Sequence, residues 1–261
     1  MSVLEEIVAS KKQELIQTKE SVPLEKLLGR IPEEPPVSFI SALAQPGVNI
    51  IAEIKYKSPS RGEFACQLPC LELAGIYSEN GAVALSVLTE KNYFSGDLSF
   101  LQEIAEEKPE LALLRKDFIV DPYQVVEARS SGACAYLLIV SCLSEQQLQS
   151  LIHYGQEFQL DALVEVHDPF ELEKAINAGA GIIGVNNRNL RTFEVDLDTS
   201  FDIARRMEGE GGYTLISESG IEEHSQIVEL QDAGFQAFLV GSIFMDSSDP
   251  GRKLRQLRGE G

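Results

Sequence analysis

The fold is decided by the stretch Ile50-Ile51-Ala52-Glu53-Ile54-Lys55-Tyr56-Lys57-Ser58-Pro59-Ser60-Arg61-Gly62, an apolar run that ends in charge. The run Val48–Ile54 predicts a buried strand, which the rigid polar turn Ser58–Gly62 cannot continue. Side chains alternate along a strand, so Glu53 and Lys55 point to the same face. A surface ion pair would explain them, but at the end of a buried strand such a pair is costly unless a site uses it. Recurrence of the pattern along the chain decides between the two interpretations.

Seven further apolar runs of strand length follow, and helical segments separate them. They are Val83–Leu88, Leu111–Leu114, Ala135–Val140, Leu160–Val166, Gly181–Asn186, Tyr213–Glu218 and Ala237–Gly241. Apolar strands that alternate with amphipathic helices indicate a parallel sheet covered by helices. Because there are about eight runs in all, we predict an α/β fold of the (β/α)8 TIM barrel type. A doubly wound open sheet is the alternative, since periodicity does not show closure.

Start and stop signals mark several of the helices. Asp121-Pro122 and Asp168-Pro169 each place a capping residue before a proline, and Ser144 caps a third helix. The second of these helices ends near Gly179, where glycine serves as a stop. A further helix is predicted over Glu222–Leu230.

The chain has the length of one barrel plus an N-terminal addition. Apolar residues at helical spacing predict one helix over Val3–Thr18, and Pro23–Leu28 begins a second, shorter one. We expect residues 1–47 to form a helical extension that packs on the barrel and covers one end, and residues 48–261 to form the barrel, within a single domain. The extension has no apolar core typical of a targeting signal, and no run has transmembrane length.

Composition excludes several classes of partner. The formal net charge of -19 predicts no binding to nucleic acid or to anionic membrane surfaces. An anionic small-molecule substrate would therefore need a local cluster of Lys, Arg and backbone N–H groups.

Cysteine and histidine usage indicates a cytoplasmic protein without a metal. The four cysteines form no C-x-x-C pair, which is typical of reduced thiols; they are Cys66, Cys70, Cys134 and Cys142. The three histidines are scattered without metal-ligand spacing; they are His153, His167 and His224. No glycine-rich nucleotide motif follows a strand, so we expect no metal and no cofactor.

Polar side chains recur where the predicted strands end, which is where barrels carry their chemistry. The candidate catalytic residues are Glu53, Lys55, Lys116, Glu165, Asn186 and Glu218. Each has a simpler explanation when taken alone: Lys116 as a solvated loop lysine, for example, or Glu165 as a charge at a helix N-terminus. Their arrangement on successive strand ends instead indicates an active site.

The last two turns predict a phosphate site. Ser219-Gly220 and Gly241-Ser242 each lie between a strand and a helical segment. Small residues there let backbone N–H groups approach an anion, and a helix N-terminus adds a favourable field. The alternative is that both glycines only make tight turns.

Taken together, these motifs strongly resemble those of indole-3-glycerol phosphate synthases, from about Leu4 to Met245. The segments that carry the resemblance are Ile51–Lys55, Ser58–Ser60, Leu114–Asp121, Leu163–His167, Asn186–Leu190, Ile216–Ile221 and Leu239–Gly241. The resemblance implies a cofactor-independent barrel enzyme of tryptophan biosynthesis. Its substrate would be 1-(2-carboxyphenylamino)-1-deoxyribulose 5-phosphate, whose indole ring closes with loss of carbon dioxide and water.

That reaction needs acid and base groups. Ring closure places negative charge on the ketone oxygen, so an ammonium group is wanted there, and Lys116 is the expected general acid. Glu165 and Lys55 are expected to share the two proton transfers of dehydration, and the sequence leaves open which of them protonates the hydroxyl. Glu53 would keep Lys55 charged and oriented.

Binding roles follow from charge and shape. Arg188 suits the anthranilate carboxylate, while Asn186 and Glu218 would position substrate hydroxyls and the amine. The expected ring walls and first-loop residues are Ser58, Pro59, Phe94, Phe118 and Leu190. Ordinary core packing is an alternative for Phe118.

Two other functions fit parts of the pattern. A phosphoribosylanthranilate isomerase-like enzyme shares the barrel and the phosphate logic but needs only one acid and one base. A non-catalytic barrel scaffold predicts at least one lost catalytic group, and none is lost. Members of the family are often monomeric, which makes a monomer the expectation. Some also use a tryptophan in the extension; this chain has none, so the role of its extension is open.

Overall fold

The computed structural model describes residues 3–260 and contains a closed barrel of eight parallel strands. The barrel strands are β1 (Ile50–Ile54), β2 (Ala82–Leu88), β3 (Leu113–Lys116), β4 (Ala135–Ile139), β5 (Asp161–Val166), β6 (Ile182–Asn186), β7 (Thr214–Glu218) and β8 (Ala237–Val240). Each strand pairs with its neighbours in sequence, and β1 pairs with β8, with Ile51 opposite Leu239. The predicted barrel is therefore confirmed, and the open-sheet alternative is wrong.

Helices surround the strands. They are α1 (Val3–Ser21), α2 (Leu24–Leu28), α3 (Phe39–Leu43), α4 (Cys70–Glu79), α5 (Leu98–Glu107), α6 (Pro122–Ser130), α7 (Glu145–Glu157), α8 (Pro169–Asn177), α9 (Asp198–Arg206), α10 (His224–Asp232), α11 (Ser242–Met245) and α12 (Pro250–Leu257). The side chains of Asp121, Ser144 and Asp168 accept backbone N–H groups at their helix starts, as predicted. Helix α10 begins at His224 rather than at Glu222, because the Gln226 side chain accepts the N–H groups of Glu222 and Glu223 and holds them outside the helix.

The turn after β1 contains a small hairpin that the sequence analysis did not predict. Lys57–Ser58 pairs antiparallel with Gly62–Glu63. Pro59 and Ser60 lie in the turn of this hairpin, and β1 ends before it, at Ile54, as expected. The hairpin presents its polar residues at the carboxyl end of the barrel.

The N-terminal segment runs from one end of the barrel to the other. Ile7 near the start of α1 lines the cavity at the carboxyl ends of the strands. Leu27 of α2 packs against Tyr123 of α6. Phe39 of α3 is buried with Ile51 inside the barrel, toward its opposite end. From these contacts we infer that residues 3–47, the described part of the predicted extension 1–47, belong to the same folded unit as the barrel at 48–260.

An apolar layer inside the barrel supports the charged residues. Its members share one buried cluster and include Ile51, Leu114, Leu163, Ile216 and Leu239. Two residues further along the same strands stand Glu53, Lys116, Glu165, Glu218 and Gly241. Because side chains alternate with a period of two, each of these residues points into the barrel directly beyond the apolar layer.

Among residues 3–260, no helix combines the length and the apolar character that a membrane span needs.

Candidate active site

A cavity of about 770 Å³ opens at the carboxyl ends of the strands. It is lined by all sixteen residues that the sequence analysis selected: Glu53, Lys55, Ser58, Pro59, Phe94, Lys116, Phe118, Glu165, Asn186, Arg188, Leu190, Glu218, Ser219, Gly220, Gly241 and Ser242. These residues come from the ends of seven of the eight strands or from the loops that follow them. The fold therefore collects them at one place.

Lys116 occupies the centre of a carboxylate cluster. Its Nζ lies 2.6 Å from Glu218 Oε2 and 3.3 Å from Glu165 Oε2. The residue closes β3 and its side chain is only 12% exposed, so it is not a solvated loop lysine. Burial lowers the pKa of Lys116, but the charges of Glu218, Glu165 and Glu53 outweigh burial and hold that pKa above its ordinary value. The ammonium group is therefore charged at neutral pH.

Glu165 is held as an anion. It lies within β5, so it is not a charge at a helix N-terminus. Its Oε1 accepts a hydrogen bond from Asn186 Nδ2 at 3.1 Å and lies 3.2 Å from His167 Nε2. Burial raises the pKa of Glu165, but Lys116, His167 and Asn186 outweigh burial and hold the pKa below its ordinary value. At neutral pH this carboxylate can accept a proton.

Glu218 differs from its neighbour across the cavity. Burial, together with the nearby charges of Glu165 and Glu53, raises the pKa of Glu218 to about 7 even though Lys116 opposes the rise. Its Oε1 is buried and has no hydrogen-bond partner among residues 3–260. This oxygen stands over Gly184 of β6, where any side chain would collide with it. Glycine at 184 thus makes room for a carboxylate with one free oxygen.

The pair at the end of β1 is in direct contact. Lys55 Nζ lies 2.5 Å from Glu53 Oε1, and both side chains face the cavity as the alternation predicted. Burial raises the pKa of Glu53, but Lys55 and Lys116 outweigh burial and lower it. Gly241 makes room for Glu53, since a Cβ there would lie 2.9 Å from the Glu53 side chain.

The two small-residue turns line the cavity together. Ser219 and Gly220 both have left-handed backbone, with φ of 68° and 83°. Gly241 directly precedes the four-residue helix α11. Helix α10 begins only at His224, so its N-terminus does not adjoin Ser219-Gly220 directly, contrary to the expectation for that turn.

Aromatic and polar groups form the remaining wall. The rings of Phe94 and Phe118 pack with their centroids 5.9 Å apart, so Phe118 both packs against another ring and lines the cavity. Arg188 donates from Nη1 to the Phe193 carbonyl at 3.0 Å, which anchors the loop that carries Leu190. Ser58 is buried at the base of the hairpin.

Four residues of the site were not predicted to have a role there. His167 was included only in the Leu163–His167 motif and among the histidines without metal-ligand spacing, although its position two residues after Glu165 puts both side chains on one face of the chain. Gly184 gave no signal, because its role depends on the register between β6 and β7. Leu4 and Ile7 of α1 line the cavity, which the helical spacing of the extension could not show.

A second ion network joins Arg115 of β3 to Asp117, which follows the strand directly and also lines the cavity. Arg115 Nη2 lies 2.7 Å from Glu127 Oε2 and 3.2 Å from Asp117 Oδ2. Lys11 of α1 reaches Asp117 Oδ1 at 3.1 Å. Asp117 Oδ2 also accepts the Thr89 hydroxyl at 2.7 Å. This network ties the extension to the strand that carries Lys116.

The fold and this cavity are those of a (β/α)8-barrel enzyme with ionisable side chains at the carboxyl ends of its strands. The family model for indole-3-glycerol phosphate synthase matches residues 4–257. Relatives of that name from Lactiplantibacillus plantarum and Carboxydothermus hydrogenoformans are 41% and 39% identical, and each match covers 97–98% of this chain and 98% of the relative. The chain belongs to the indole-3-glycerol phosphate synthase family.

A solved structure shows the same fold at lower similarity. A 3-hexulose-6-phosphate synthase superposes with a TM-score of 0.66 over 82% of this chain and 99% of its own, at 15% identity. At that identity the likeness concerns the barrel fold alone.

Proposed function

We propose that the cavity converts 1-(2-carboxyphenylamino)-1-deoxyribulose 5-phosphate into indole-3-glycerol phosphate, carbon dioxide and water. The observation that carries this proposal is the position of Lys116 between Glu165 and Glu218, with the Glu53–Lys55 pair in the same cavity. An isomerase needs one acid and one base, whereas this cluster supplies groups for two successive steps. Membership of the family supports the same reaction.

Ring closure is the first step. The aromatic carbon that bears the carboxylate forms a bond to the ketone carbon, and the carbonyl electron pair moves to the oxygen. Lys116 donates its proton to that oxygen, for which its ammonium charge and central position suit it. The bond to the carboxylate then breaks, and its electrons return to the ring system as carbon dioxide departs.

Dehydration is the second step. A proton leaves the carbon next to the aniline nitrogen, and the new hydroxyl departs as water. Glu165 takes that proton, because Lys116, His167 and Asn186 keep the Glu165 carboxylate ionised. Lys55 then supplies a proton to the leaving hydroxyl, with Glu53 keeping it oriented at 2.5 Å. Loss of the proton and of water completes the indole ring.

Binding is assigned to the surrounding groups. The two small-residue turns, Ser219-Gly220 and Gly241-Ser242, offer backbone N–H groups to the phosphate. Arg188 takes the substrate carboxylate until decarboxylation. Asn186 and Glu218 orient the hydroxyls and the amine. The residues assigned to the aromatic ring are Ser58, Pro59, Phe94, Phe118 and Leu190.

The test is indole fluorescence from purified protein and substrate, without added metal or nucleotide. The chain contains no tryptophan, so the product is seen against a low background. We expect a signal in the wild type and none above background in Lys116→Ala. Turnover of phosphoribosylanthranilate in place of this substrate would favour the isomerase, and binding without turnover of either compound would favour a scaffold.

The proposed enzyme works as a monomer in the cytoplasm. One chain supplies all sixteen residues of the cavity, so no second copy is needed to complete it. The four cysteines are free thiols, which suits a reducing compartment. Size-exclusion chromatography with light scattering should give the mass of one chain, 28.7 kDa.

A further inference from the structure

A second titratable pair stands directly behind Glu165. The ring of His167 lies between two carboxylates, with Nε2 3.2 Å from Glu165 Oε1 and Nδ1 3.0 Å from Glu171 Oε2. Glu171 is fixed in turn, because the same Oε2 accepts the backbone N–H of His167 at 2.9 Å at the start of α8. The imidazole therefore has little freedom to turn away from Glu165.

This geometry selects one charge state of the ring. A neutral imidazole carries a proton on only one nitrogen, whereas the imidazolium carries one on each. Nδ1 of His167 is hydrogen-bonded to Glu171 Oε2, whereas the buried Nε2 makes no hydrogen bond of good geometry among residues 3–260 and meets Glu165 Oε1 as a charge contact at 3.2 Å. With a carboxylate oxygen close to each nitrogen, the imidazolium is the charge state that this geometry favours. Burial lowers the pKa of His167, but Glu165 and Glu171 outweigh burial and raise it to about 10, which agrees with the geometry.

Further charged side chains lie around the ring. His167 also lines a smaller cavity of about 470 Å³ beside the main one. The charged side chains that line it with His167 are Asp168, Glu171, Arg188, Arg191, Glu194 and Asp196. Four of these six are carboxylates, so this surrounding also favours the imidazolium. Toward the main cavity, the Glu165 carboxylate separates His167 from Lys116.

We propose that His167 is a positioning residue which, charged and held by Glu171, fixes Oε1 of Glu165 and keeps that carboxylate ionised for proton transfer. The inference rests on the proposed function of Glu165 as a base. It assigns a catalytic purpose to a Glu165–His167–Glu171 chain that links the reaction cavity to helix α8. The effect of His167 should fall on turnover more than on substrate binding, since the ring lies behind Glu165.

Nuclear magnetic resonance of the ring nitrogens tests the ion pair without any turnover. We expect His167 to be an imidazolium at about pH 8, well above the ordinary histidine pKa of about 6.5. Coupling between two charged groups is mutual, so Glu165→Gln and Glu171→Gln should each lower the pKa of His167, by about 1–3 units. A neutral His167 at that pH, or a pKa indifferent to Glu165→Gln, would overturn the proposal.

Kinetics tests the consequence for catalysis. His167→Gln should lower kcat about 10-fold or more, with KM changed less than about threefold and the thermal midpoint retained. His153→Gln is the matched control, because His153 also stands near a glutamate but is exposed on α7, and it should leave kcat unchanged. An unchanged kcat in His167→Gln, or an equal effect on kcat and KM, would refute the positioning role. Absence of turnover in the wild type would instead refute the proposed function, and the resonance experiment would still decide the ion pair.

Discussion

Two buried ion networks meet at strand β3: one surrounds Lys116 on its inner face, and the other joins Arg115 on its outer face to Asp117, which follows the strand and also lines the cavity. In the Arg115 network, Asp117 is held by Arg115, Lys11 and Thr89. On the inner face, Lys116 contacts two carboxylates, and one oxygen of Glu218 is left without a partner among residues 3–260. Both oxygens of Asp117 are thus partnered, whereas Glu218 keeps one buried oxygen without a hydrogen bond in the described part of the chain.

One acidic side chain from each network, Asp117 and Glu218, shows a pKa shift in the opposite direction. Burial raises the pKa of Asp117, but Arg115, Lys11 and Thr89 outweigh burial and bring it below the ordinary value. Glu218 has a single cation to offset burial and two neighbouring carboxylates, and its pKa rises to about 7. Asp117 is thus held in its ionised form, while Glu218 can gain or lose a proton near neutral pH.

The largest effect on activity is expected for Glu165→Gln. The amide keeps the size of the side chain but cannot accept the proton, so kcat should fall by about 10²–10⁴-fold. Initial rates of indole fluorescence at saturating substrate measure the change, with thermal unfolding as a check on folding. Glu157→Gln on exposed α7 is the control. A kcat within a few-fold of wild type would place the base elsewhere.

The largest effect on stability is expected for Asp117→Asn in the Arg115 network. Without this charge, the buried cations Arg115 and Lys11 lose one of their carboxylate partners. The free energy of unfolding should fall by about 3–5 kcal/mol. Urea unfolding measures that loss. The folded variant should keep kcat within about tenfold of wild type. A variant as stable as wild type but inactive would show that the two networks are not separate.

A pH-dependent effect is expected for Glu218→Gln. The folded-state pKa of Glu218 is about 7, above its ordinary value of 4.5. Between these values the folded protein keeps a proton that the unfolded chain has lost, so the contribution of Glu218 to stability is present at low pH and lost as pH rises through about 7. Glutamine cannot lose that proton. The free energy of unfolding of Glu218→Gln relative to wild type should therefore be higher at about pH 8 than at about pH 5, and an equal difference at both would contradict the raised pKa.

The smallest effect is expected for Lys19→Ala. Lys19 and Asp121 form an ion pair of 2.7 Å between α1 and the start of α6, with 43% and 33% of their side chains exposed. Exposed pairs contribute less than about 1 kcal/mol. Urea unfolding of Lys19→Ala and Asp117→Asn compares an exposed with a buried ion pair, both of which join α1 to the barrel. A loss as large as that of Asp117→Asn would mean that exposure is not the deciding variable.

Much of the barrel and its charged residues could be predicted because each strand carries its own signal. Lys116 and Glu165 follow apolar residues by a period of two, so their direction is fixed within a strand. The role of Gly184 could not be predicted, because its collision partner lies on the neighbouring strand and depends on register. Helix α3 was missed for a similar reason: it has five residues, and burial of Phe39 and Leu43 under the barrel supports it more than helix propensity does.

The most direct measurement makes the same substitution at two adjacent residues of β3. Lys116→Met removes a cation from the cavity, and Arg115→Met removes one from the outer face. Rates of indole formation and urea unfolding are compared in both variants. We expect the folded Lys116→Met protein to lose at least about 10²-fold in kcat, and Arg115→Met to lose about 3 kcal/mol or more of stability with kcat of the folded protein largely kept. Turnover retained in Lys116→Met, or lost in a stable Arg115→Met, would contradict the assignment of chemistry to the inner face.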